Sequence, residues 1–143
     1  MRYKCAVYIA EEIGDKTEIA KAKRYLGNCH YRNGRFKNAI KYHRKYLKLA
    51  KELGDKEGEG IAYGNLGDVY FSLGEFQEAI TYHEKSLDIA WEAKNCAEEG
   101  KACYAIGCCF EYLGSLDEAE RWLRLCKKHL ITYESPAIRT MSR

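Results

Sequence analysis

A spacing of forty residues recurs three times along this chain, and it constrains the fold more than any single motif does. Leu26-Gly27, Leu66-Gly67 and Ile106-Gly107 fall in register, as do Gly34, Gly74 and Gly114, then Phe36, Phe76 and Leu116, then Ala39, Ala79 and Ala119. Aromatic residues follow at Tyr42, Tyr82 and Trp122. Residues 14–53 and 54–93 are identical at 16 of 40 positions, far above what shared composition produces, so the unit is duplicated in tandem. A unit of this size cannot bury its apolar face alone; it stacks on its neighbours to form a continuous core.

Inside each unit the apolar spacing is helical. In the second, Ala62, Tyr63, Leu66, Val69, Tyr70 and Leu73 lie on one helical face, and Phe76, Ala79, Ile80, His83, Leu87 and Ala90 on another. Each unit is therefore a pair of helices. Gly74 between the halves and Gly54 at the boundary supply the left-handed residue that ends a helix. Asp15 with Glu18 and Asn95 with Glu98 form reciprocal N-terminal capping pairs, whereas Gly58 breaks the pattern in the second unit. The spacing predicts helices at 2–13, 17–33, 36–53, 57–73, 76–93, 97–113 and 116–131: an all-α superhelix of about three and a half helix-turn-helix repeats, seven helices in all. Residues 1–13 read as the second helix of a partial repeat, whether in a fragment of a longer array or a truncated relative. Full repeats follow at 14–53, 54–93 and 94–131. Residues 132–143, with Pro136, the single proline, read as a flexible tail. Gly27, Gly67 and Gly107 sit within helices, where glycine costs about 1 kcal/mol relative to alanine. A close helix crossing, with Ala39, Ala79 and Ala119 as small partners, explains that repeated cost.

With 143 residues, of which 46% are apolar, the chain is one domain with a core and not a disordered segment. No apolar run reaches membrane length, and Glu11 and Glu12 directly after Ala6-Val7-Tyr8-Ile9-Ala10 argue against a signal peptide. Seven cysteines without an export signal read as reduced thiols, which points to the cytoplasm. Charge is segregated: residues 1–53 carry 14 Lys and Arg against 5 Asp and Glu, while residues 54–131 carry 8 against 15. The basic end is either a solvated face or a footprint for an acidic partner.

The run Tyr63-x-x-Leu66-Gly67-x-x-Tyr70, with Ala79 nine residues on, resembles the tetratricopeptide repeat. It recurs as Lys23, Leu26, Gly27, His30, Ala39 and as Cys103, Ile106, Gly107, Phe110, Ala119. The usual repeat has 34 residues and closes on proline; the longer period here lengthens the second helix. Gly54-Asp55-Lys56, Tyr63-Gly64-Asn65-Leu66-Gly67, Gly74-Glu75-Phe76 and Tyr82-His83-Glu84-Lys85 are similar to the Leu-Gly-Asn repeat adaptors of cell polarity and G-protein signalling, and to the large animal tetratricopeptide protein 28. Residues 132–143 hold no motif of the G-alpha-binding kind.

The resemblance implies a groove lined by the first helix of each repeat. Its positions here are Lys21, Arg24, Asn28, Tyr31 and Arg32, then Ile61, Gly64, Asp68, Phe71 and Ser72, then Lys101, Tyr104, Cys108, Glu111 and Tyr112. Gly64 leaves room for a peptide backbone, and the aromatics are interface anchors unless they pack between repeats. Chaperone-binding relatives grip a terminal carboxylate with cations and amides. Arg24, Asn28, Asn65 and Lys101 match four of those five places, while Ala105 stands at the fifth, where the pattern has a cation. Of the adaptors' asparagine only Asn28 survives; Asp68 and Cys108 replace it.

Other chemistry is poorly supported. Cys103, Cys108 and Cys109 lack the spacing of a zinc site, and His43 and His83 occupy a packing position because Leu123 shares it. No Ser/His/Asp or Cys/His constellation and no phosphate loop is present, so the chain reads as non-enzymatic, without cofactor or metal. The basic positions 35, 37, 41, 44, 45, 48 and 51 stripe one helix with Tyr42 and Tyr46, which reads as a solvated face before it reads as a nucleic-acid surface. The expected function is an adaptor that holds a peptide or protein segment, acidic toward the N-terminal end of the groove. The alternative is a self-associating solenoid in which Ile9, Ala10 and Ile13 seek cover and basic front meets acidic rear.

Overall fold

The computed structural model describes residues 4–6, 8 and 15–132, with side chains as far as Lys128. Among these residues lie six helices: α1 (Lys16–Arg32), α2 (Phe36–Leu53), α3 (Lys56–Ser72), α4 (Phe76–Glu92), α5 (Cys96–Tyr112) and α6 (Leu116–Thr132). Helical backbone is also found at residues 4–6 and 8. The rest of the helix expected at 2–13, and the tail beyond Thr132, lie outside the described residues. The architecture is the expected all-α solenoid: α1 pairs with α2, α3 with α4 and α5 with α6, and each pair leans on the next through α2 against α3 and α4 against α5.

The first helix of each pair starts on a side-chain cap. Asp15 accepts from the Thr17 and Glu18 amides, Asp55 from Gly58 at 3.0 Å and Asn95 from Glu98 at 3.2 Å. Gly58 thus leaves the cap of the second repeat intact. The reciprocal half of the expected capping pair is replaced by another contact: Glu18 and Glu98 turn outward to Lys21 and Lys101. Helices end on a left-handed residue whose neighbour's amide bonds five residues back, as in Arg35 to His30 and Glu75 to Tyr70. Glycine fills that place at Gly34, Gly54, Gly74 and Gly114, but Lys94 fills it at φ 55°.

The core runs through the repeats as a spine. Tyr70, Ala79, Ile80, Ile106 and Cys109 form its largest cluster, with Ile40, Phe76, Leu87 and Trp122 packed against it. The side chain nearest each helical glycine lies one turn beyond the expected alanine. A Cβ on Gly27 would stand 2.6 Å from the His43 ring, one on Gly67 2.5 Å from the His83 ring and one on Gly107 3.0 Å from Leu123. The glycine therefore makes room for the side chain one turn beyond the alanine. At Gly107 the Ala119 carbonyl also comes near, at 3.4 Å. Ala39, Ala79 and Ala119 are buried at the same crossing.

Candidate functional site

The first helices α3 and α5 run side by side, and the seam between them is open. Gly60 and Gly64 thin α3 on this side, and at Gly60 α4 comes close enough to form the floor. Ser86 donates from Oγ to the Gly60 carbonyl at 3.1 Å, and Ile89 lies 3.2 Å from where a Gly60 Cβ would stand. Three hollows follow one another along the seam. The first, about 300 Å³, lies between Gly60, Ile61, Ser86, Ile89, Asn95 and Glu98. The second, about 330 Å³, adds Gly64, Asn65, Asp68, His83, Lys101 and Ala105. The third, about 310 Å³, is lined by Asp68, Phe71, His83, Lys101, Tyr104, Ala105 and Cys108. Consecutive hollows share residues, so they form one trough.

Of the groove positions read from the sequence, Gly64, Asn65, Asp68, Phe71, Lys101, Tyr104 and Cys108 come together here. Others stand apart. Lys21 and Arg24 line a separate hollow of about 340 Å³ with Glu18 and Tyr25, and the Arg24 guanidinium lies over the Tyr46 ring at 5.8 Å. Asn28 is half-buried and Arg32 exposed on α1. Tyr31 meets Ser72 at 2.9 Å through their hydroxyls. Tyr112 packs edge-on against Phe71 at 5.1 Å and stacks on Phe76 at 5.2 Å, which draws it toward the helix-turn edge. Arg24 and the pair Asn65 and Lys101 therefore line different hollows. Sequence reasoning missed His83, Ser86 and Ile89, which reach the trough from α4; its available signal was the pair of glycines at 60 and 64, where a second helix can approach.

Electrostatics single out Asp68. Its Oδ1 lies 3.6 Å from His83 Nε2. Burial pushes the carboxyl up to about 6 although 59% of the side chain's surface opens into the trough. Burial also pulls His83 down to about 4, so near neutral pH the imidazole is uncharged and does not balance the carboxylate. Lys101 points its ammonium at Glu98, 3.2 Å away. Burial raises the Cys103 and Cys109 thiols to about 11, which keeps them protonated and inert. Among the described residues no three His, Cys, Asp or Glu side chains gather as metal ligands, and no helix is long and apolar enough to cross a membrane. On the outward face of α2, Lys41 and Lys45 bracket the Tyr42 ring at 5.8 and 5.4 Å.

The family model described as Tetratricopeptide repeat matches residues 18–92 and again 58–128. Among solved structures, the tetratricopeptide domain of Arabidopsis FLU is 28% identical, with TM-score 0.77, covering 82% of this chain and 98% of that one. The N-terminal domain of stress-induced protein-1 from C. elegans is 23% identical, with TM-score 0.71 and coverage of 89% and 94%. BtubC from P. vanneervenii is 21% identical, with TM-score 0.84 and coverage of 93% and 56%. Among curated proteins, no sequence matches significantly.

Proposed function

Because this chain belongs to the tetratricopeptide repeat family, whose fold is a protein–protein interaction scaffold, we propose that it is a non-enzymatic adaptor holding an extended peptide between its second and third repeats. The observation that carries this is the continuous trough along α3 and α5. From Glu57 to Phe71 the trough follows fourteen helical steps, about 21 Å at 1.5 Å per residue, which accommodates about six residues of extended chain. Its walls combine a backbone freed by Gly60 and Gly64, the exposed Tyr104 ring, and amide and hydroxyl groups at Asn65 and Ser86. That mixture suits a peptide main chain with spaced side-chain anchors. Lys21, Arg24, Asn28, Tyr31 and Arg32 stand apart from the trough on α1, where the basic side chains favour an acidic stretch of the partner. The motif likeness to the Leu-Gly-Asn adaptors supports this reading, as reduced cysteines support a cytoplasmic setting.

Selection of random dodecapeptides on the immobilised full chain, followed by amide-shift mapping of the selected peptides, tests the proposal. Shifts concentrated at Gly64, Asn65, Lys101 and Tyr104 are expected. Gly64→Tyr is the blocking variant. The third repeat carries Tyr104 at that position, and a Gly64 Cβ would meet only Ser86 Oγ at 3.7 Å, so the helix accepts the ring while the trough fills. Affinity falls about tenfold or more, the consequence of losing roughly 1.4 kcal/mol of contact. Peptides that bind only the outward faces of α2 and α4, indifferent to Gly64→Tyr, overturn it.

A further inference from the structure

The trough contains one charge that folding does not need. At the position of Asp68 the other repeats carry Asn28 and Cys108, and at the position of His83 they carry His43 and Leu123. The first repeat thus packs a histidine of the same kind, buried and shifted to about 4, with an amide in place of the acid. The Asp68 side chain is 59% exposed and opens its carboxylate to the hollow, where a cation can answer it. Among the described residues none does: His83 stays neutral above about 4, Lys101 pairs with Glu98, and the neighbouring Cys109 thiol titrates near 11. Beside the carboxylate the third hollow is walled by Phe71 and Tyr104, the latter 57% exposed.

Resting on the adaptor reading, we propose that this hollow is the anchor for an arginine side chain of the bound peptide, its guanidinium on the Asp68 carboxylate and its stem and plane against Tyr104 and Phe71. A guanidinium fits both walls. Its fork pairs with a carboxylate through two parallel hydrogen bonds, and its flat face stacks on an aromatic ring, which a lysine ammonium does less well. With the basic α1 end favouring acidic residues, the partner sequence has a polarity: acidic toward α1, arginine at the seam of α3 and α5.

The pair of probes is N-acetyl-Gly-Arg-Gly amide and its citrulline counterpart, which keeps the planar shape and one N–H fork but has a carbonyl oxygen in place of the other terminal nitrogen and lacks the charge. Each is titrated at millimolar concentration into the full chain with the Asp68 carboxyl carbon and the Phe71 and Tyr104 rings followed by NMR. The arginine peptide is expected to move all three signals, to draw the Asp68 titration below about 6, and to weaken as pH falls through that value because protonation removes the anion. His83 titrates lower still and the Cys109 thiol well above this window, so neither alters it; Lys101 and Cys108 are the other polar groups on the hollow's wall. Citrulline is expected to bind at least tenfold more weakly, a loss of about 1.4 kcal/mol or more. Asp68→Asn, folded because Asn28 already serves that position, is expected to bind both alike and without pH dependence. Equal affinity for the two peptides, arginine binding unchanged in Asp68→Asn, or no shift at any of the three sites overturns the anchor. Display-selected peptides separate the two proposals: peptides that map to the trough but lack arginine and ignore Asp68→Asn sink the anchor and leave the adaptor reading standing. Peptides that avoid the trough sink both.

Discussion

At the scale of single residues the decisive contact is a side chain laid on a glycine backbone. Gly67→Ala places a methyl 2.5 Å from the His83 ring, and the ring is itself buried, so it cannot swing away freely. The overpacking penalty of about 1–3 kcal/mol exceeds the gain of about 1 kcal/mol in helix propensity. The variant is expected to lose about 1–2 kcal/mol in urea unfolding, and Gly67→Ala with His83→Ala to recover part of it. Gly107→Ala meets Leu123 at 3.0 Å, which a small shift relieves, so it is expected to be near neutral; equal losses at the two glycines would contradict this account. The same histidines set the acid response. His43 and His83 titrate near 4 when folded against 6.5 when free. Between those values the unfolded chain holds protons that the folded chain refuses, so stability drops as pH falls through the window, at most about 1.4 kcal/mol per pH unit for each histidine. Asp68 works in the opposite sense: its folded carboxyl protonates near 6 and its free form near 3.8, so below 6 it returns part of the loss. His43→Leu with His83→Leu, a change that Leu123 shows the site accepts, is expected to flatten the fall in melting temperature between pH 6.5 and 4.5. The need for a repeated glycine was legible in the sequence, but the side chain nearest to it was not. Periodicity places residues on a helix face; it does not say which facing side chain, Ala79 or His83 one turn along, reaches the crossing.

At the scale of the element, helix ends were the most legible feature because their chemistry is local. Asp15, Asp55 and Asn95 cap as their side chains dictate, and glycine closes four of the helices with positive φ. The exception is informative. Lys94 occupies the place of Gly54 at φ 55°, a left-handed conformation that costs an L-residue about 1–2 kcal/mol. Lys94→Gly is therefore expected to stabilise the chain by about 1 kcal/mol, read as a raised urea midpoint at unchanged slope; a lowered midpoint would show that the lysine side chain contributes something the backbone does not. The trough was less legible than the ends. Its α3 and α5 walls follow from the repeat register, and Asn65, Asp68 and Lys101 fall where that register puts them. Its floor depends on how near α4 comes to α3, a distance set by the missing side chain at Gly60 and by Ile89 opposite. That is a pairwise quantity, which hydrophobic spacing within one helix does not encode.

For the whole molecule, stacking is governed by what each second helix offers the next repeat. On α2 and α4 the offered face carries Ile40, Leu47, Ile80 and Leu87, all packed into clusters that include the following first helix. On α6 the same two places hold Glu120 and Lys127. Glu120 pairs across this face with Arg124 at 2.6 Å, and both line an open hollow of about 390 Å³ with Leu116, Ala119, Leu123 and Lys127. A repeat stacked there would strip water from two charges, a penalty of several kcal/mol per ion, where an Ile and a Leu would each contribute about 1.5–3 kcal/mol. Two residues on α6 thus weigh against the stacking of another repeat on this face. Glu120→Ile with Lys127→Leu restores the apolar strip of α2 and α4, and sedimentation of the double variant is expected to shift to a faster species as concentration rises, more steeply than for the unaltered chain. Leu116, already 66% exposed, extends that strip, so Leu116→Lys added to the pair is expected to reverse the shift. A double variant that sediments like the unaltered chain at every concentration would mean that charge at Glu120 and Lys127 does not govern stacking at α6.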